Sequence, residues 1–506
     1  MAEFFDVVVA GYGYAGAVAA IEAHDAGARV LLIEKADEPG GISVCSAGGL
    51  RISRDADAAF AYLVATNAGT TPEPVLRVLA DGMFWLPDYA RRLTEAVGGA
   101  LGLRDSPANY PLPGYKSFGF AYVDDLPGFE PATAFPNVRG AAAGARLFAV
   151  LEENVRRRPG ITVRLACPAE RLLVEGEAVA GLVAGGQEIR AGAVVLATGG
   201  FEAAEEMKLR TWPLKPVLSA AVRGNTGDGI ALAQKAGAGL WHMWHFHGSY
   251  GFRHPDPDYP FGIRLKRLPD WVPGEGVRED VRMSWILVDR EGRRFGNEYE
   301  PYMQDTGHRA MEAFDPVTQS FSRVPALLIV DAAGRVIYPL AAPTWHDAEV
   351  AQRFGGATPA SLDEIILRRF DSIVDLAHAF GRDPAVLQAT VDDWNLACIS
   401  GADKTFGRPS SSMMPIASPP FSAAEIWPIV SNTQGGPVHD GEQRVLDPFG
   451  APIQNLFAAG ELGSVFGHLY MSGGNIAECF VGGAIAGKGA ARAAIGVPER
   501  RRSAAG

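Results

Sequence analysis

Three glycines near the start of the chain stand in G-x-G-x-x-G order: Gly11, Gly13 and Gly16, within FDVVVAGYGYAGAVAAIEAHDAGARVLLIEK. An acid, Glu34, ends the same stretch with Lys35 beside it. Residues of these types at this spacing suit one chemistry, the capture of a dinucleotide. Gly11 permits a sharp turn, Gly13 lets a pyrophosphate approach the backbone, and Gly16 lets a helix pack closely on a strand. Tyr14 and Ala15 open that helix, whose free N–H groups and partial positive charge face the phosphates. Glu34 is placed to accept hydrogen bonds from the ribose hydroxyls of an adenosine.

A second run of small residues follows, Pro39-Gly40-Gly41-Ile42-Ser43-Val44-Cys45-Ser46-Ala47-Gly48-Gly49. Backbone this bare can lie against something flat and large. A nicotinamide enzyme has no need of such a segment, whereas a flavin enzyme does. The two segments together predict FAD as the cofactor.

Elements must hold these residues in place. Val7 to Ala10 reads as a buried strand, the alanine-rich stretch after Gly13 as a helix, and Val30 to Ile33 as a second strand. The same logic recurs far along the chain. Ala193 to Leu196 runs into Ala197, Thr198 and Gly199; Asn225 and Asp228 sit in a glycine turn before a helix over Ile230–Ala236. Thr433-Gln434-Gly435-Gly436, then Leu456 to Gly460 and Glu461, then Gly473-Gly474-Asn475-Ile476 complete the series. The pattern predicts an α/β fold: a Rossmann-type, glutathione-reductase-like FAD-binding domain, discontinuous in sequence, with an inserted α+β substrate or capping domain. The expected division is 1–238 and 420–497 for the FAD-binding domain, 239–419 for the insert, and 498–506, with Arg500 to Arg502, for a flexible tail.

Other segments are read more coarsely. Residues 58–100 look helical, and 104–138, rich in proline, glycine and aromatics, read as an ordered loop or lid. A helix is expected from Ala141 to Arg157, with strands at Ile161–Leu165, Arg171–Val174 and Val179–Val183. A hairpin-like segment is expected at 284–292. Asp383 and Pro384 start a helix running to about Ala397 as N-cap and first-turn proline.

The formal net charge of -12 argues against nucleic acid or anionic membrane as a main partner. No apolar run is long enough to span a bilayer without a glycine or charge, so stable membrane insertion is not expected. Nothing before Phe5 resembles a leader, and four scattered cysteines without a C-x-x-C pair read as free thiols. The expected compartment is the cytoplasm. His242, His245 and His247 are spaced so that they could converge, but no carboxylate or cysteine pattern accompanies them; no metal site is expected.

The ordered set GYGYAG…IEK, GGISVCSAGG, ATGGF, NTGDGI, ILVDREGRRFGNE, TQGG and AAGE…SGGN resembles the FAD-binding fumarate reductase/succinate dehydrogenase-like flavoproteins, which include the 3-ketosteroid dehydrogenases. The resemblance covers essentially the whole chain. It implies FAD with its adenosine at Glu34 and its isoalloxazine at the junction of the domains, with Ser46, Gly48, Gly49, Asp228, Glu461 and Asn475 as contacts. In the fumarate reductases an arginine after the RFGNE-like segment delivers a proton; counting from Glu298, that place is Tyr302 here. Their C-terminal motif carries an arginine that clamps a carboxylate, and that place is Met471. The Tyr-x-Ser of Tyr470 and Ser472 resembles the ketosteroid dehydrogenases acting at the Δ4(5α) bond, while Gly474 also meets the Tyr-x-x-x-Gly of the Δ1 enzymes.

Desaturating a ketone needs a base for the proton α to the carbonyl, a donor to polarise the oxygen, and a hydride acceptor. Tyr302, Tyr470 and Ser472 are the residues the resemblance implies for this, and Ser472 doubles as a cofactor contact. Tyrosine serves as a base only with help from neighbours, for which His308 and Arg309 stand near in sequence. The expected activity is therefore an FAD-dependent dehydrogenase of a 3-ketosteroid or smaller cyclic ketone, passing electrons to a quinone or other acceptor. Two rivals are a fumarate-type reductase of an unsaturated acid, using Arg253, Arg264 or Arg309, and a non-catalytic flavin electron-carrier subunit.

Overall fold

A computed structural model describes residues 3–266, 282–299 and 307–496. Tyr302 and the tail 498–506 lie outside the described residues. The first layer is an eight-stranded sheet. Its centre is parallel, in the order Ile161–Arg164, Val30–Ile33, Glu3–Ala10, Gln187–Leu196 and Pro452–Ala458. Val7 pairs with Val30 on one side and Ala193 on the other, and all three are fully buried. Covered on both faces, these strands carry unbroken apolar runs rather than alternation. A hairpin of Ala169–Glu175 and Ala178–Ala184 extends the sheet beside the first half of Gln187–Leu196.

Helix Tyr14–Asp25 and the C-terminal helix Gly474–Ile495 cover one face, packed directly against each other. Their contact is made of very small residues. A β carbon added at Gly483 would lie 2.7 Å from the carbonyl oxygen of Ala15, and one at Gly487 would lie 2.3 Å from that of Ala19. The helices therefore meet almost backbone to backbone.

The second layer is another eight-stranded sheet, ordered Trp285–Val288, Ala326–Val330, Phe421–Thr433, Phe246–Arg253, Gly262–Leu265 and Ala341–Ala342, with Leu218–Ser219 and Arg368–Phe370 also on Phe421–Thr433. Phe421–Thr433 is its spine: the first half pairs with Ala326–Val330 and the second half with Phe246–Arg253. This spine comes from the stretch that begins at 420, placed by sequence with the first domain. Its thirteen residues are long enough to serve two neighbours in turn.

Several elements differ from expectation. The region 104–138 is not simply a loop or lid: Phe118–Asp125 is the central strand of a three-stranded antiparallel sheet with Leu50–Ser53 and Ala100–Asp105. Its aromatics Phe118, Phe120 and Tyr122 stand two apart and share one face, a strand pattern that local composition rich in turn formers obscured. Residues 58–100 form two helices, Ala56–Asn67 and Glu73–Ala96, separated where Ala68 and Gly69 take positive φ, and then the strand from Ala100. The helix after Asp383 forms as read, with the Asp383 carboxylate accepting from Ala385 and Val386 N–H, and it runs on to Ser400.

Gly487→Val should push the two helices apart. An overpacked core costs about 1–3 kcal/mol, so the melting temperature should fall by several degrees. A thermal scan of the flavin-loaded protein checks this; an unchanged transition would mean that the helices can separate freely.

Candidate active site

A cleft of ≈ 660 Å³ opens where the parallel strands of the first sheet end. Its lining includes Ala10 and Gly11 after the first strand, Ile33 and Glu34 after the second, Ala197 to Gly199 after the fourth, and Ala459 after the last. Ligands bind at this edge of open parallel sheets because the loops and helix N-termini converge there. The second sheet closes the other side with His247, Arg264, Ser431 and Asn432.

At one end stands Glu34. Its Oε2 accepts from Tyr12 N–H at 2.9 Å and its Oε1 from Ala36 N–H at 3.0 Å, which leaves lone pairs on a carboxylate fixed in orientation. Lys35 is held across the cleft rim by Asp228 at 2.6 Å and Thr226 at 2.8 Å. Gly11 has φ +102, and a β carbon there would lie 2.2 Å from the carbonyl oxygen of Ala197, so only glycine fits. Gly13, Tyr14 and Ala15 line the cleft where the helix begins. One N–H of that first turn, from Tyr14, is already taken by Ser43 Oγ at 3.1 Å. The Tyr14 hydroxyl instead faces inward, bonded to Gly144 O at 2.8 Å and Ser46 Oγ at 3.1 Å.

The second glycine segment folds as a short 3-10 turn, Gly41–Cys45. Gly40, Gly41, Ser46, Ala47 and Gly49 reach the cleft, as do Thr198, Asn225, Glu461, Ser472, Asn475 and Ile476. Gly16, Gly48 and Gly460 do not line it. An added β carbon at these positions would meet Gly11 O at 1.8 Å, Ala143 C at 2.3 Å and Ala15 Cβ at 2.7 Å respectively. These three glycines let the walls close up behind the cleft.

The cradle fits FAD on its own evidence. It is long, bare of side chains at both glycine segments, and contains a buried hydroxyl, Thr198 Oγ1, with no hydrogen-bond partner in the protein. A buried polar atom of this kind implies a partner that the chain does not supply.

Three buried acids stand in or near the cleft: Glu461 in its lining, Glu478 on helix Gly474–Ile495, and Glu202 bonded to the lining residue Asn225. Glu461 Oε1 accepts from Thr433 N–H at 2.7 Å, and Glu478 accepts from Val465 N–H at 2.7 Å and Asn475 Nδ2 at 2.9 Å. Burial pushes Glu461 and Glu478 each up to about 7, and lifts Glu202 well above the carboxylate range, with Glu461 adding to the effect on Glu202.

At the other end Tyr470 is buried, its ring centroid 4.2 Å from that of His247 and 5.4 Å from that of Phe466. The Tyr470 hydroxyl accepts a long bond of 3.5 Å from Asn475 N–H, in the first turn of helix Gly474–Ile495. A polar chain continues from there: His247 Nδ1 to Asn432 Oδ1 at 2.8 Å, and Asn432 Nδ2 to Asn475 Oδ1 at 2.5 Å. Ser472 is held through its backbone, its N–H donating to Asn109 Oδ1 at 2.9 Å and its carbonyl accepting from Arg51 Nε at 2.8 Å.

The histidine trio does not converge. His242 bonds Ser464 O, His245 bonds Phe466 O, and His247 alone lines the cleft. Of the proposed tyrosine helpers, His308 is buried against Gly248 O and pushed down to about 3 by desolvation, which keeps it neutral. Arg309 donates to the carbonyl of His468, and Arg253 stacks on Trp427 at 4.4 Å; neither lines the cleft, whereas Arg264 does. The Cys45 thiol is pushed up to about 12 by burial, which makes it a poor nucleophile. Ser431 and Asn432 carry no motif of their own in the sequence; the recognisable pattern there is the glycine pair after them, Gly435 and Gly436. Phe120 and Tyr122 lie in a stretch whose composition suggests a loop, but their alternation with Gly119 and Ala121 is that of a strand.

Fold and site together define a flavoprotein: a parallel sheet with a dinucleotide turn, a second glycine segment against the cleft, and a capping sheet over it. The family model described as "FAD binding domain" matches residues 6–476, and the chain belongs to that family of FAD-binding oxidoreductases. It is 28% identical to an NADH:fumarate oxidoreductase of Klebsiella pneumoniae, over 97% of this chain and 48% of that protein, so it spans about half the length of that relative. It is 29% identical to a 4-oxocyclohexanecarboxylate 2-dehydrogenase of Sinomonas cyclohexanicum, over 90% of this chain and 87% of that protein. The solved structure of a 3-ketosteroid Δ1-dehydrogenase from Sterolibacterium denitrificans superposes with TM-score 0.78 at 25% identity, covering 97% of this chain and 99% of that one. Among the described residues no helix is long and apolar enough to cross a membrane.

Glu478 supplies a pH test. Its folded-state value is raised from 4.5 to about 7, so it holds a proton more tightly folded than unfolded. Its ionisation costs no stability below the lower value and the full amount above the higher one. Glu478→Gln removes that slope: relative to wild type, the variant should gain about 1–3 kcal/mol between pH ~5 and pH ~8. Melting temperatures of both proteins across this window decide it, and parallel curves would show that Glu478 is ionised in the fold.

Proposed function

We propose that this chain is a dehydrogenase that introduces a C=C bond next to the carbonyl of a cyclic ketone, a steroid or a smaller alicyclic ring. The observation that carries the reading is Tyr470, buried in the cleft with its hydroxyl at the positive end of a 22-residue helix. That end faces an oxygen which must polarise a carbonyl or pass a proton on. When bound, FAD supplies the acceptor for the hydride that leaves the β carbon. The chain's own residues bind the ring, hold it and handle the α proton.

In this reading His247 and Phe466 brace the Tyr470 ring, and the Asn432–Asn475 bond fixes the amide that faces its hydroxyl. Phe120 and Tyr122 offer flat apolar surface along the same wall. Tyr302 takes or gives the α proton on the strength of its place after Glu298, and Ser472 flanks the site. Met471, where fumarate reductases carry a clamping arginine, is buried among apolar side chains, which speaks against a dicarboxylate held at that point. The ring ketones named for the Sinomonas and Sterolibacterium relatives support the same class. Gly11, Gly13 and Glu34 hold the adenosine half of the cofactor, and Thr198, Asn225, Glu461 and Asn475 the remainder. Electrons leave to a quinone or similar acceptor, and the free thiols suit a reducing cytoplasm.

Tyr470→Phe removes the phenolic oxygen and keeps the ring. Flavin content should stay near wild type, while turnover on a ring ketone falls by about two to four decades, the usual worth of a positioned acid or base. Tyr302→Phe should behave alike, and the double variant should lose little more than either single one. Stopped-flow bleaching of the flavin under anaerobic conditions gives the rates. If both Phe variants keep most of the activity, the tyrosine assignment is wrong.

NADH should be a poor electron partner, because Gly11 to Gly16 is the one strand–turn–helix dinucleotide fingerprint in the sequence. Turnover with NAD comparable to that with artificial dyes would contradict this.

A further inference from the structure

Just after strand Ala341–Ala342 of the capping sheet, the chain runs to the cleft wall where Glu34 to Glu38 stand: Thr344 and residues 346–349 line the cleft there. The stretch is tied down at three places. Its short strand, Trp345–His346, pairs antiparallel with Val138–Arg139, and Asp347 N–H donates to Asn137 O at 3.0 Å. His346 N–H donates to Ala221 O at 2.9 Å. The His346 ring stands between Gly41 O at 3.0 Å and Glu38 Oε2 at 3.1 Å, one contact from each nitrogen. Arg223 Nε and Nη2 reach the two oxygens of Asp347 at 2.6 and 2.9 Å, and Nη2 also reaches Glu349 at 2.8 Å. Such a two-pronged pair fixes direction as well as distance.

The anchors are the segments that surround this end of the cleft. Gly41 belongs to the second glycine segment, Asn137 to Arg139 precede helix Ala142–Arg156, and Ala221 to Arg223 lead into the lining residues Gly224 and Asn225. The stretch therefore crosses from the capping sheet to the opposite wall and is bonded on both sides of the opening it crosses. From this we infer that residues 344–349 are a strap over the adenosine half of FAD, and that the cofactor enters and leaves only when the strap lifts. The inference rests on the placement of the adenosine at Glu34. Every bond named above joins two residues of this chain. The strap is then held with equal strength on either side of the exchange. A barrier of that kind slows entry as much as exit, and it changes rates far more than affinity.

The test uses the full-length flavin-loaded protein. Exchange of bound FAD against an excess of radiolabelled FAD gives the release rate, and the fluorescence of FAD freed on dilution gives Kd. His346→Ala should speed release by about tenfold, the worth of a charge-assisted hydrogen bond. Arg223→Gln, at a half-exposed side chain, should speed it by about twofold to fivefold. In both variants Kd should hardly move. Release at the wild-type rate in both overturns the strap. A Kd that rises in step with the release rate also overturns it, since side chains that merely touch the cofactor would give that result. If His346→Ala does not fold, Asp347→Asn decides in its place. Asparagine still caps helix Ala348–Phe354, where Asp347 Oδ1 accepts from Val350 N–H at 3.0 Å, but gives up the ion pair. It should match Arg223→Gln, and wild-type release from it overturns the strap. Glu34→Gln is the contrast: a lost adenosine contact should raise Kd and release together. An unchanged Kd there removes the adenosine placement and the strap with it, whereas failure of the strap variants alone leaves that placement standing.

Discussion

The close contact between helix Tyr14–Asp25 and helix Gly474–Ile495 is the constraint on which the site depends. Gly483 and Gly487 bring one backbone against the carbonyls of Ala15 and Ala19, a distance no larger side chain allows. Because the two helices start at the same end of the sheet, their N-termini are delivered together to one cleft. The first presents Gly13 and the glycine turn to the cleft; the second presents Asn475 to the Tyr470 hydroxyl. Residues more than four hundred positions apart become one site through a contact of glycine and alanine. Lys488 to Glu22 at 3.0 Å ties the same pair of helices near their far end.

Strand Phe421–Thr433 performs the complementary task. It is the spine of the capping sheet, and near its end Ser431 and Asn432 line the cleft. Thr433 bonds Glu461 from the first sheet, and Asn432 bonds Asn475 from the C-terminal helix. The cap is therefore joined to the cofactor domain by buried hydrogen bonds at the site itself. Such bonds are costly to leave half made, so they hold the two layers in register. The cleft between the layers is lined by side chains from both: Tyr470 from one, His247 and Arg264 from the other.

The buried acids in and near the cleft fit the same picture. Glu461 and Glu478 keep their protons well above the usual carboxylate range because burial disfavours their charge more than the hydrogen bonds from Thr433, Val465 and Asn475 favour it. A neutral acid can donate as well as accept, which suits a cradle for a cofactor rich in oxygen and nitrogen acceptors. Arg264 is the opposite case, a charge that cannot neutralise itself.

Much was legible in the sequence. The glycines and Glu34 specify a turn and an acid through backbone geometry that few residues can adopt, so local order sufficed to name a dinucleotide and then a flavin. Buried parallel strands likewise announce themselves as unbroken apolar runs, as Val7 to Ala10 and Ala193 to Leu196 do. What the sequence left open depended on partners distant along the chain. Whether Gly16, Gly48 and Gly460 face the cofactor or the packing behind it was decided by which backbone comes close, Gly11, Ala143 or Ala15. Whether Arg253, Arg264 or Arg309 reaches the cleft was decided by strand register: one stacks on Trp427, one bonds His468, and Arg264 alone points inward. Residue type sets what a side chain can do, but its direction and its neighbours come from the pairing of strands and helices, and that pairing exists only in the folded chain.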